Sequence, residues 1–174
     1  MRIVVTDACI FIDLLECNAC EAFFHLSIEV VTSYQVWMEL ESEQRKVLSE
    51  WVDSDRLRII KISEDFVGAA KERNLSTSLS IADLSVWHLA EKSNDILLTS
   101  DGVLRKMAKR HDIKTHGLLW IFDQIYEEEL IKPKDLILKL QHIFDTNSHY
   151  RSNTKLYESF EWLKKKWNPQ TQKR

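Results

Sequence analysis

Two stretches of the chain each end a short apolar run on a carboxylate and then turn helical, and no other feature restricts the fold as strongly. The first is Ile3-Val-Val-Thr6, cut by Asp7, after which Ile10, Leu14 and Leu15 fall on one helical face. The second is Asp95-Ile-Leu-Leu-Thr99, closed by Ser100-Asp101-Gly102 and followed by a helix to Arg110 with Leu104, Met107 and Ala108 on its apolar side. Runs this short, apolar and free of turn residues read as buried strands. A strand that passes straight into a helix belongs to a strand–helix–strand unit. Open sheets built from such units bind ligands at the carboxyl ends of their strands.

The remaining segments extend the pattern. A short helix is expected over Cys20–Leu26 and a strand over Ile28–Val31. One helix from Tyr34 to Trp51 would carry Glu39 in its early turns, with Glu43 one turn further on. Leu57–Ile62 is the third strand, followed by a helix capped by Ser63 and running to about Asn74. After a polar loop, Ser80 caps a helix over Ile81–Glu91 that has Asp83 in its first turn. Ile113–Thr115 is a fifth strand, and helices follow over Leu118–Leu130, Pro133–Phe144 and Leu156–Trp167, with a polar loop over Asp145–Asn153. The fold class is α/β, a parallel sheet covered on both faces and joined by right-handed crossovers.

Composition narrows the function. Three glycines leave no phosphate-cradling loop of the P-loop or dinucleotide type, which disfavours kinases, P-loop ATPases and dinucleotide oxidoreductases. Cys17 and Cys20 form a C-x-x-C with no second pair, and read as buried helical thiols in a reducing, cytoplasmic setting rather than as a redox or zinc site. The apolar opening is broken by Asp7, so neither a signal peptide nor a membrane span is expected. Charge is uneven: residues 151–174 hold seven basic and two acidic side chains, against a chain total of 24 and 27. An acidic body with a basic tail suits a carboxylate-rich metal site and a tail that touches phosphate; a solvated, frayed terminus is the plainer alternative.

Position singles out four of the 27 acids. Asp7 and Asp101 end strands, and Asp83 and Glu39 are assigned to first helical turns. All four converge on one sheet edge if the first and fourth strands are neighbours. Ionised carboxylates share a pocket only around a cation, because like charges raise each other's pKa. Hard oxygen donors without His or Cys select Mg²⁺ or Mn²⁺, and such a site suits metal-assisted phosphodiester hydrolysis. Read plainly, Asp83 and Glu39 are first-turn acids favoured by the helix dipole, worth about 0.3–1 kcal/mol each. The tryptophans read as core, although Trp167, beside Lys164–Lys166, is placed to stack on a base.

These segments, Val-Thr-Asp7, Val-Trp-Met-Glu39-Leu, Leu-Ser-Ile-Ala-Asp83-Leu-Ser and Leu-Leu-Thr-Ser-Asp101-Gly-Val-Leu-Arg105, resemble a PIN domain over residues 2 to about 131. His116-Gly-Leu-Leu-Trp120 also resembles a turn and helix start of one PIN subgroup. The resemblance implies a three-layer α/β/α fold with strand order 3-2-1-4-5. It divides the chain into a PIN-like nuclease domain, 1–131, and a C-terminal helical extension with a basic tail, 132–174. It implies an Mg²⁺- or Mn²⁺-dependent endoribonuclease like the toxins of type II toxin–antitoxin pairs, with RNA as substrate, an antitoxin protein as partner and commonly a homodimer. Asp7, Glu39, Asp83 and Asp101 match the acidic quartet, and Thr99 the hydroxyl that supports it. Arg105 and Lys164, Lys165 and Lys166 are the expected contacts to the RNA backbone. Many PIN toxins carry a polar residue two positions after the first acid, where this chain has Cys9, and the extension is longer than usual. The rival expectations are a PIN-like module that binds RNA or protein without cutting, and a haloacid-dehalogenase phosphatase, which would want Asp-x-Asp where this chain has Asp7-Ala-Cys9.

Overall fold

Val4 and Val5, both buried, carry strand β1 (Arg2–Thr6) along the centre of a five-stranded sheet. A computed structural model of the chain describes residues 2–63, 66, 68 and 78–168. Around β1 lie β2 (Ile28–Ser33), β3 (Leu57–Ile60), β4 (Ile96–Leu98) and β5 (Thr115–His116). All pairs are parallel, in the order β3-β2-β1-β4-β5. That is the order the resemblance implies, and β1 and β4 are neighbours, with Thr6 opposite Leu98. Val30, Val31, Leu97 and Leu98 are buried like β1, as strands covered on both faces require.

The helices with both ends among the described residues are α1 (Ala8–Glu16), α2 (Cys20–His25), α3 (Tyr34–Glu39), α4 (Ser42–Asp53), α5 (Ile81–Ser93), α6 (Gly102–Arg110), α7 (Leu118–Glu127), α8 (Pro133–Thr146), α9 (Ser148–Arg151) and α10 (Thr154–Trp167). Helix α5 packs on β1, β2, β4 and α3. The single helix expected over Tyr34–Trp51 is two. Leu40 turns extended, and Glu41 starts α4 with a capping box in which Glu41 Nα donates to Gln44 Oε1 at 2.8 Å. Glu39 is therefore the last residue of α3 rather than an early one, and Glu43 belongs to the next helix. The expected loop over 145–153 is also corrected: α8 runs on to Thr146, and the Asn147 side chain accepts from His149 N–H at 3.0 Å to start α9. Most of the helix expected from Ser63 toward Asn74, the first half of the polar loop after it, and the tail beyond Asn168 lie outside the described residues.

Five helix ends share one closure without glycine. Asn18, Asp55, Asn94, Asp112 and Glu129 all take a left-handed φ of 52–57°. In each case the next residue's N–H reaches a carbonyl five positions back, as in Ala19 to Leu14 at 2.9 Å and Leu130 to Ile125 at 3.1 Å.

Contacts divide the chain into two interleaved units, Met1–Ile12 with Ser27–Leu118, and Asp13–Leu26 with Leu119–Arg174. The first contains the sheet. The second is helical. In it Phe144 stacks on Phe160 with centroids 4.7 Å apart, and the buried Asp13 carboxylate accepts from Tyr150 Oη at 2.5 Å and Asn147 Nδ2 at 3.3 Å. Cys17 and Cys20 are buried in it as thiols, not joined in a disulfide.

Candidate active site

Asp7 follows the last residue of β1, and its N–H donates to Leu98 C=O at 3.0 Å, extending the β1–β4 ladder by one step. This register sets the Asp7 side chain against Thr99. The carboxylate is only 4% exposed and is held on both oxygens. Oδ1 accepts from Ala8 N–H at 2.7 Å; Oδ2 accepts from Thr99 Oγ1 at 2.8 Å and from Cys9 Sγ at 3.1 Å. Each of the last two donors is itself fed by a backbone amide, Asp101 N–H to Thr99 Oγ1 at 3.0 Å and Ser100 N–H to Cys9 Sγ at 3.2 Å. Burial, and then the charge of Asp7, push the Cys9 thiol well above its ordinary pKa, so it stays protonated and donates. Cys9, for which sequence reasoning gave no role, is a direct support of Asp7. Its place two residues after the acid was the available signal.

Asp83 and Glu39 are tied together by Ser80. Asp83 sits in the first turn of α5, where its Oδ2 accepts from Ser80 N–H at 2.7 Å while its own N–H donates to Ser80 Oγ at 3.0 Å, a reciprocal capping box. The Ser80 side chain also hydrogen-bonds Glu39, at the exposed end of α3. Desolvation raises the pKa of Asp7 against the pull of Cys9 and Thr99, and the charge of Asp83 raises it further. Glu39 is raised by desolvation too, then by the charges of Asp83 and Asp7, with Ser80 opposing. The three acids thus lie within electrostatic reach of one another.

Asp101 stands differently. It is exposed, and its Oδ1 caps α6 by accepting from Val103 N–H at 2.8 Å and Leu104 N–H at 2.7 Å. It reaches Asp7 through its backbone amide and Thr99. Among the described residues no three His, Cys, Asp or Glu side chains are already gathered around one point as ligands. The donor chemistry nonetheless fits a hard divalent ion: the carboxylates of Asp7, Glu39 and Asp83 repel one another, and a cation would relieve them.

Arg105 Nη1 donates to Thr99 C=O at 3.1 Å and lies over Gly117, where an added Cβ would come within 2.9 Å of it. Two of the three tail lysines are engaged inside the helical unit, and Lys165 is exposed. Lys164 pairs with Glu161, and Lys166 bridges Asp123 at 2.7 Å and Glu127 at 2.6 Å. Trp167 is not a base-stacking platform: it is 1% exposed, stacks on Tyr126 and donates to Asp123 Oδ1 at 3.2 Å.

A family model described as a PIN domain matches residues 3–164. Among solved structures, the chain is similar to a domain of a functionally unknown protein from Methanocaldococcus jannaschii DSM 2661, at 23% identity and a TM-score of 0.49, over 68% of this chain and 91% of that one. It is also similar to a PilT N-terminus domain protein from Sulfolobus solfataricus P2, at 12% identity and a TM-score of 0.41, over 72% and 92%. No curated protein matches.

Proposed function

Because the chain belongs to the PIN-domain family, we propose that the acidic edge of its sheet is the active site of a metal-dependent endoribonuclease, the toxin of a type II toxin–antitoxin pair. PIN domains are commonly nucleases and generally use divalent metal ions. The observation that carries the reading is the mutual repulsion of Asp7, Glu39 and Asp83 at the carboxyl ends of β1 and its neighbours. A buried acid held by three donors and pushed upward by a second acid is costly unless its charge is used.

In this reading Asp7, Glu39, Asp83 and Asp101 hold Mg²⁺ or Mn²⁺. The chemistry such an ion supplies is activation of water and neutralisation of charge on the phosphodiester. The chain's own part is positioning. Ala8 N–H, Thr99 and Cys9 fix the Asp7 carboxylate, leaving the second lone pair of Oδ1 for the site. Ser80 sets Asp83 and Glu39 relative to each other, and Arg105, held by Thr99 C=O, keeps further N–H donors for a phosphate oxygen.

The test is cleavage of RNA with Mn²⁺. The Asp7→Asn variant is expected to lose at least about 100-fold in rate. Cleavage by that variant at the wild-type rate would remove the site assignment. The toxin part is tested by the neighbouring gene, which should encode a small antitoxin-like protein; a solitary gene speaks for a free-standing nuclease. The absence of a gathered ligand set among the described residues favours a second reading, a PIN-like module that binds without cutting. Calorimetric titration with Mn²⁺ separates the two, since only the nuclease needs to bind it.

A further inference from the structure

Helix α6 begins at the candidate site and carries four basic residues and no acid: Arg105, Lys106, Lys109 and Arg110. Its buried side is Leu104, Met107 and Ala108. The helical period therefore collects Lys106, Lys109 and Arg110 on the outer face, with Lys106 and Arg110 about 6 Å apart along the axis. All three are exposed, and so is Lys114 beyond the helix. Among the described residues none of these four takes part in an ion pair, whereas Lys164 and Lys166 of α10 are engaged by three acids. The helix is also physically joined to the acids. Its cap residue Asp101 donates to Thr99, which donates to Asp7, and Arg105 is fixed on Thr99 C=O.

We infer that the outer face of α6, Lys106, Lys109 and Arg110, continued by Lys114 beyond the helix, is the track along which the phosphate backbone of a single-stranded RNA approaches Asp7. The inference rests on the nuclease reading and names where its substrate lies. Free cations aligned on one face beside an acidic site suit a polyanion that must be brought to that site against its charge. The face carries no aromatic side chain, so it offers no stacking platform and contacts phosphates without base preference. A single strand fits because Asp7 is 4% exposed: a flexible backbone can bend a phosphate toward it, while a stiff duplex holds its phosphates on a convex surface.

The test is binding of a fluorescently labelled oligouridylate by the full chain, in chelator to prevent cutting, followed by anisotropy over a salt series. Replacing three of the cations together, Lys106→Gln, Lys109→Gln and Arg110→Gln, should lower the slope of log affinity against log salt by about 2, at roughly 0.7 per lost phosphate contact. In Mn²⁺ the same variant should show a raised KM and an unchanged kcat, with a wild-type melting midpoint as the folding control. The matched variant Lys164→Gln, Lys165→Gln and Lys166→Gln is measured alongside. An unchanged slope in the α6 variant, or a loss confined to the α10 variant, overturns the track. In that event wild-type cleavage and its loss in Asp7→Asn would still stand, so the nuclease reading is judged separately. Polyglutamate displacing the RNA at equal charge would also overturn it, marking the face as a dock for an acidic protein.

Discussion

Cys9 shows how a single side chain departs from the expected pattern while preserving its physics. A thiol at that position donates to Asp7 Oδ2 as a hydroxyl would, though more weakly. Cys9→Ser should therefore keep RNA cleavage close to the wild-type rate, and Cys9→Ala should lower kcat about tenfold, close to 1.4 kcal/mol of lost stabilisation. Equal rates in the two variants would deny the thiol any part in placing Asp7. Thr99→Val is expected to act more strongly. It removes a donor from Asp7 and leaves Asp101 N–H without its acceptor, so urea unfolding should report a loss of about 1–3 kcal/mol. Asp7 itself was legible because an acid ending an apolar run marks the carboxyl end of a strand. The role of Cys9 was not, since the amide that feeds it belongs to Ser100, 91 residues away, and only the β1–β4 register brings them together.

At the scale of elements, the alternation of strands and helices and four of the five strands could be read from apolar runs, but the fifth, expected over Ile113–Thr115, is Thr115–His116, and helix ends could not be read as well. The break between α3 and α4 was missed because Glu41 caps α4, and Glu is not among the residues that announce a helix start. Its side chain nevertheless makes the reciprocal bonds with Gln44 that a Ser or Asp would make. The left-handed closures were hidden for a similar reason, since they use Asn, Asp and Glu where glycine is the usual marker. Glu129 is the most strained by type: it has neither the glycine freedom nor the short polar side chain that eases this conformation. Glu129→Gly should stabilise the chain by about 0.5–1 kcal/mol in chemical denaturation, the relief of backbone strain outweighing the added freedom of the unfolded chain. A loss of stability would mean that the Glu129 side chain contributes more than its backbone costs.

The stability of the whole molecule should lean toward acid. Asp13 is 4% exposed and, mainly through burial, its pKa is pushed up to about 6, with Tyr150 and Asn147 pulling against that. A raised folded pKa means that the folded chain holds its proton more tightly than the unfolded one. The stabilising contribution is complete below about pH 4 and is lost as the pH rises through about 6. The difference amounts to about 3 kcal/mol at most. Asp13→Asn should remove that part of the profile and unfold at higher urea than wild type above neutral pH, while an unaltered profile would clear Asp13 of the effect. Asp7 and Glu39, also raised, act in the same sense. One last consequence concerns proton traffic at the edge of the sheet. Both amide-fed bridges run in a single direction, from Ser100 and Asp101 through Cys9 and Thr99, and both end on Asp7 Oδ2. Every inner contact of Asp7 gives a hydrogen and none can take one away. For a proton the strand side is thus a dead end, and any that Asp7 takes up must depart on the side facing away from the strands, toward solvent.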